Sequence, residues 1–211
     1  MSSKIKYFFD FTTFFTTFEE KDIPSYAIIC QPTKTLKPPK SLILVVNTAY
    51  FGINSHRLEF KVMIKIMFVC HGNICRSPMA EFIMKKLVAD KGLEDDFLIE
   101  SSATSSEEIY CGIGNPIYPP ALRELKANNI PVTEKRAVQL KPTDYEKYDM
   151  FICMDSNNLR NIKRIFPNDV NNKIRPLLAN KDVADPWYYG NFDVTFSDIE
   201  KGCKALLESL I

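Results

Sequence analysis

The sequence predicts an α/β domain: a four-stranded parallel sheet with helices on both faces, doubly wound in the Rossmann-like, three-layer manner. Three observations carry this. From Met63 onward, short apolar runs of the buried-strand type alternate with helical stretches. The first of these runs leads straight into a loop and a helix start, the place where such sheets bind ligands. The composition is that of a globular protein, with 211 residues, 45% hydrophobic and 25% charged, enough for one domain with an appendage.

The elements follow in order. Residues 64–69 (Ile-Lys-Ile-Met-Phe-Val) read as the first strand. Ser77 and Pro78 open a helix that runs to about Asp90: serine suits the N-cap, proline the first helical position, and Glu81 the first turn. Residues 97–101 form a second strand, and residues 120–128 a helix with Leu122 and Leu125 on one face. A third strand over 148–154 leads to a helix over 157–166, and 173–178 is a short fourth strand. The last helix, 194–210, places Phe196, Ile199, Cys203, Leu206 and Leu210 on one stripe.

Residues 1–62 read differently. They hold eight of the 15 Phe, with Thr-Phe repetition over 11–18 and a Lys/Pro/Thr stretch at 31–40 that resembles a linker. Their charge is +3, against −2 for residues 63–211. They carry no recognisable motif. The expectation is an N-terminal extension of uncertain structure, either upstream sequence joined to a domain that starts at Met63 or an accessory segment able to cover a pocket. A net charge of +1 over the whole chain shows no electrostatic footprint for nucleic acid or an anionic membrane. The longest apolar run, 42–46, falls far short of the roughly 18–20 residues that span a bilayer. Six cysteines (Cys30, Cys70, Cys75, Cys111, Cys153, Cys203) are too few for a disulfide scaffold, and the N-terminus does not read as a secretory signal. A reducing cytoplasm is the expected setting.

The chemistry concentrates after the first strand, in Cys70-His71-Gly72-Asn73-Ile74-Cys75-Arg76-Ser77. The amides of a tight loop entering a helix converge, and the helix dipole adds positive charge, so an oxyanion is the natural occupant. A thiol in that field is favoured as thiolate, the nucleophilic form. An arginine at the loop's end can clamp two oxygens at once, which lysine cannot. Gly72 and Asn73 tolerate a left-handed backbone. Metal is the rival reading of Cys-x4-Cys, but His56 and His71 are the only histidines and no second pair completes a site. His71 reads as a loop or substrate-facing residue without a catalytic role.

Displacing an aryl oxygen from phosphorus calls for a general acid. Asp185-Pro186-Trp187-Tyr188 stands before the last helix, 115 residues after Cys70. Trp187 and Tyr188 suit the walls of a deep aromatic pocket.

On these residues the chain resembles the low-molecular-weight protein-tyrosine phosphatases. The likeness runs through the first strand, the loop and Pro78-Met79-Ala80-Glu81. It continues at residues 101–105, 113–116 and 153–159, and at Asp185-Pro186-Trp187-Tyr188. It covers 63–211 and none of 1–62. The larger tyrosine phosphatases share Cys-x5-Arg, but their acid precedes the nucleophile. The resemblance implies hydrolysis of protein phosphotyrosine through a phosphocysteine, with inorganic phosphate as product and no metal or organic cofactor. Cys70 would be the nucleophile, Arg76 the phosphate clamp, and Asp185 the acid and then the base. Ser77 would stabilise the thiolate, and Asn73 would hold the loop through a network with Ser101. Cys75 would form a protective disulfide with Cys70 on oxidation.

Some members place a histidine in that network near the end of the second helix. Asn128-Asn129 stand there in this chain, so the network must close differently. Trp187 replaces a frequent Tyr, Glu107 and Glu108 make the pocket rim acidic, and residues 109–112 look like an insert in the rim loop. Three alternatives share the fold. An arsenate reductase needs two further cysteines near the third strand, where only Cys153 lies. A protein-arginine phosphatase would carry Thr in place of Ile74. A silent phosphotyrosine-binding module is argued against by intact Cys70, Arg76 and Asp185.

Overall fold

The computed structural model describes residues 41–45, 57–61 and 63–211. The chain divides into units of residues 1–36 and 37–211, and every described residue belongs to the second. The Thr-Phe repetition and the linker stretch lie outside the described residues. Within 37–62, β1 (Ser41–Val45) pairs antiparallel with β2 (Arg57–Lys61), a hairpin that the sequence did not suggest.

The main sheet uses β3 (Ile64–Cys70), β4 (Phe97–Ala103), β7 (Met150–Cys153) and β8 (Ile174–Pro176), in the order β4-β3-β7-β8 and parallel throughout. β3 is central and both of its faces are covered, which is why its sequence is apolar at consecutive positions rather than alternate ones. Side chains still alternate between faces. Ile66 and Phe68 join Met79, Ile83, Leu125, Ile199 and Leu207 in one core. Met67 and Val69 join Phe151, Cys153, Ile162 and Phe166 in the other. The first core is built with α1 (Arg76–Ala89), α2 (Pro119–Ala127) and α5 (Phe192–Leu210); the second with α3 (Ser156–Ile165). The expected architecture is present, and element ends shift by a few residues.

Three local expectations are corrected. Ser77 is not the N-cap of α1; Cys75 is, without a side-chain bond, and the Ser77 hydroxyl turns to Cys70 instead. Glu81 lies beyond the first turn and is buried at 3% exposure, far from a solvated dipole partner. On α5 the large apolar side chains that are fully buried are Ile199, Cys203 and Leu207, with Leu206 and Leu210 only partly covered.

Two small elements escaped the sequence reading. Residues 109–112 belong to a hairpin of β5 (Ile109–Tyr110) and β6 (Ile113–Gly114). Its turn residues Cys111 and Gly112 have φ of 50° and 79°, the left-handed pair that a two-residue hairpin loop requires. The single turn α4 (Pro186–Tyr189) follows Asp185, whose side chain caps it through the Trp187 amide at 3.1 Å. No helix among the described residues is long and apolar enough to cross a membrane.

Candidate active site

The loop of residues 70–77 leaves the carboxyl end of β3 and enters α1. Its outer carbonyls are held by neighbouring segments. Thr104 N donates to Cys70 O at 2.9 Å, Ser105 N to His71 O at 3.0 Å, and Tyr118 N to Ile74 O at 2.8 Å. In a trans peptide the carbonyl and the following N–H point opposite ways, so the amides of His71, Gly72 and Cys75 turn inward. No side chain caps α1, which leaves its first amides for an oxyanion.

Asn73 makes the loop's shape possible. It sits at φ 57° and is 1% exposed. Its Oδ1 accepts from Val138 N at 3.0 Å, and its Nδ2 donates to Ser77 Oγ at 2.9 Å and Ser101 Oγ at 2.8 Å. Cys70 Sγ, buried, lies 3.0 Å from Ser77 Oγ and accepts from Asn73 N at 3.3 Å. These donors match what a thiolate needs.

Arg76 is 4% exposed and held between two carboxylates: Nη1 to Asp155 Oδ2 at 2.5 Å and Nη2 to Asp185 Oδ2 at 2.6 Å. Burial opposes its charge, but Cys70, Asp185 and Asp155 outweigh that and hold its pKa up. Asp155 was not among the expected site residues. It follows β7 and caps α3 through Asn158 N at 2.6 Å, so one carboxylate fixes a helix start and orients the guanidinium. Its place at the carboxyl end of a central strand was the signal available in the sequence.

The network under Asn73 closes through Ser101, Glu81 and Lys135 rather than at Asn128-Asn129. Ser101 Oγ donates to Glu81 Oε2 at 2.6 Å and Lys135 Nζ sits 3.0 Å from the same oxygen, whereas Asn128 bonds its own helix at Glu124. Cys75 is half-buried, and burial first, then the nearby Cys70 charge, pushes its thiol up to about 12.

The rim is open. His71 Nε2 meets Glu107 Oε2 at 2.9 Å with both side chains at least half exposed. Glu108 accepts from Asn115 Nδ2 at 2.7 Å and packs against Gly72, where a Cβ would stand 2.9 Å from its Cγ. Trp187 and Tyr188, expected as pocket walls, are 65% and 78% exposed. Trp187 instead leans toward Tyr118, 5.7 Å between ring centroids, and lines a cleft with Arg123 and Phe192 that contains no residue of the phosphate loop. No group of three or more His, Cys, Asp or Glu suited to a metal occurs among the described residues.

A doubly wound sheet with a cysteine-and-arginine loop and a carboxylate beside the arginine is the arrangement that cysteine-based phosphate-ester chemistry calls for. The family model described as Low molecular weight phosphotyrosine protein phosphatase matches residues 65–211. The rat protein of that name is 37% identical over 153 residues, covering 68% of this chain and 93% of its own length. Low molecular weight protein-tyrosine-phosphatase YfkJ of Bacillus subtilis is 35% identical over 154 residues, covering 70% and 96%. Among solved structures, the low molecular weight protein tyrosine phosphatase SP-PTP of Streptococcus pyogenes superposes with a TM-score of 0.64 at 40% identity. It covers 71% of this chain and 94% of that one. The chain therefore belongs to the low molecular weight phosphotyrosine protein phosphatase family.

Proposed function

We propose that the chain hydrolyses phosphotyrosine in proteins through a phosphocysteine. The observation that supports this most is the convergence of Cys70, Ser77, Asn73, Arg76 and Asp185 on one loop mouth, inside a chain of this family. The Cys70 thiolate attacks phosphorus as the bond from phosphorus to the tyrosyl oxygen breaks. Asp185 gives its proton to that oxygen, which departs as tyrosine. Asp185, now a carboxylate, takes a proton from water as the water attacks the phosphocysteine. The sulfur–phosphorus bond breaks, and inorganic phosphate and the thiolate are released.

Arg76 and the inward amides carry the charge of the equatorial oxygens through both steps. The incoming phosphoryl group competes with Asp185 for Arg76 Nη2 and so frees the carboxyl group for the leaving oxygen. Residues 63–211 are proposed as the catalytic domain and residues 1–62 as an extension to it. The setting proposed is the cytoplasm, in keeping with the unpaired Cys70, Cys75, Cys111, Cys153 and Cys203.

The test is steady-state hydrolysis of p-nitrophenyl phosphate and of phosphotyrosine, phosphoserine and phosphoarginine peptides, without added metal, beside Cys70→Ser. Cys70-dependent turnover that prefers phosphotyrosine is expected. Preference for phosphoarginine, or turnover that survives Cys70→Ser, would overturn the reading.

A further inference from the structure

Beneath the phosphate loop lies a buried charge cluster that the chemical steps do not use. Glu81 on α1 is 3% exposed. Its Oε2 receives Ser101 Oγ at 2.6 Å and Lys135 Nζ at 3.0 Å, and its Oε1 receives Lys85 Nζ at 2.5 Å. Lys135 also donates to the Ser101 carbonyl at 3.0 Å. Lys135 is the buried partner, its side chain 15% exposed against 43% for Lys85. A carboxylate this deep is expensive unless paired. Burial would raise the Glu81 pKa, and Lys135, with hydrogen bonds from Lys85 and Ser101, holds it below the usual carboxylate range instead. Tyr148, which bonds Glu100, also feels the Glu81 charge.

An ionised carboxylate only accepts, and this dictates proton directions up to the nucleophile. Ser101 spends its one hydroxyl hydrogen on Glu81, so Ser101 Oγ can only accept from Asn73. The bond from Val138 N to Asn73 Oδ1 fixes the amide, which sends both Nδ2 hydrogens to Ser101 and Ser77. Ser77 Oγ then accepts, and its own hydrogen is left for Cys70 Sγ at 3.0 Å, the Ser102 carbonyl being farther at 3.4 Å. Were Glu81 protonated, it could donate to Ser101, and the freed Ser101 hydrogen would meet the Asn73 N–H head on.

We propose that Lys135, paired with Glu81, is a positioning residue for the nucleophile: it keeps Glu81 ionised, so the Ser101–Asn73–Ser77 chain delivers a hydroxyl donor to Cys70. The inference rests on the phosphocysteine reading for its catalytic meaning, but its geometry concerns Cys70 itself and can be read without turnover. Because Glu81 carries a depressed pKa, this support is complete above the ordinary carboxylate range. It fades only as the pH falls through the lower, folded value.

The experiment measures Cys70 alkylation by iodoacetamide across pH 5 to 9, by mass spectrometry of the Cys70 peptide, beside kcat and KM for p-nitrophenyl phosphate. The proteins are the full chain and its Lys135→Met, Lys135→Gln and Lys135→Arg variants. In Lys135→Met, Cys70 alkylation should fall severalfold toward the acid end of the range, its profile lying at higher pH than the parent's. There kcat should fall about tenfold while KM changes less than about threefold, and Lys135→Arg should restore both profiles. Lys135→Gln, which keeps a hydrogen-bonding group against Ser101, carries the same reading if the methionine variant does not fold. Alkylation profiles of the neutral variants that superimpose on the parent's would overturn the proposal. A parent that alkylates normally but shows no Cys70-dependent turnover would instead overturn the proposed function.

Discussion

The floor and the rim of this site are built on opposite principles. On the floor, Cys70, Asn73, Arg76 and Ser77 are all under 5% exposed, and each makes at least one side-chain hydrogen bond to a named partner. At the rim, Tyr110, Ile113, Trp187 and Tyr188 are 64% to 78% exposed, and His71 pairs with Glu107 in open solvent. Charge development at phosphorus demands donors fixed before the reaction begins, which burial and hydrogen bonding secure. A surface that meets a protein substrate can order its side chains on contact. On the proposed function, the chemistry is preformed on the buried floor and recognition falls to the exposed groups of the rim.

That contrast can be broken most severely at the floor. Cys70→Ser should lower kcat by at least about 1,000-fold while leaving the melting temperature near that of the parent. Arg76→Lys should cost about 100-fold or more, since an ammonium group cannot stay bound to Asp155 while presenting a planar fork to two phosphoryl oxygens. Steady-state kinetics on p-nitrophenyl phosphate check both; an Arg76→Lys enzyme within about tenfold of the parent would show that the bidentate clamp is dispensable.

Asp185 stands between floor and rim, with a partly exposed side chain bound to a buried arginine. Asp185→Ala should slow phenyl phosphate by about 100-fold and p-nitrophenyl phosphate much less, because a good leaving group does not need the proton. Equal losses on the two esters would remove it as the acid. Under peroxide, Cys75 should act as the resolving thiol: its pKa of about 12 keeps it protonated, so Cys70 is oxidised first and then captured. Mass spectrometry should find a Cys70–Cys75 disulfide that dithiothreitol reverses. Sulfonic acid at Cys70 with Cys75 untouched would refute the capture.

The smallest effects belong to the rim. Trp187→Ala and Tyr188→Ala should each raise KM for phosphotyrosine peptides about three- to tenfold while leaving p-nitrophenyl phosphate within about twofold. A large loss on the small ester would mean that these rings close over the floor during turnover.

The same division separates what the residues reveal from what only the structure shows. β3, the loop and α1 are contiguous in the chain, so the apolar run, Cys70, Arg76 and the start of the helix announce themselves together. The parallel, doubly wound sheet was legible because strands alternating with helices leave few topologies, whereas the order β4-β3-β7-β8 comes from the structure alone. Asp155 was overlooked although it closes a central strand, since an Asp before Ser-Asn-Asn reads first as a helix cap, which it also is. Glu81 looked like a dipole partner near a helix start because nothing local reveals that this face turns inward. Lys135 lies in a stretch without periodicity, and only tertiary folding brings it to Ser101, 34 residues away. The hairpin turn at Cys111-Gly112 lacks the usual Asn-Gly signature, so its left-handed residues went unread. Trp187 and Tyr188 were expected to wall a deep pocket because aromatic residues beside an acid suggest one, but here they face solvent.

The most direct test of the account is to catch the covalent intermediate. Asp185→Ala should still be phosphorylated by p-nitrophenyl phosphate, whose leaving group needs no acid, yet should lack the base that speeds hydrolysis of the phosphocysteine. Rapid acid quench and mass spectrometry should then find one phosphoryl group on the peptide that contains Cys70, in a large fraction of the enzyme. Turnover that continues with no phosphoryl group on Cys70, or with the group on another residue, would contradict the mechanism.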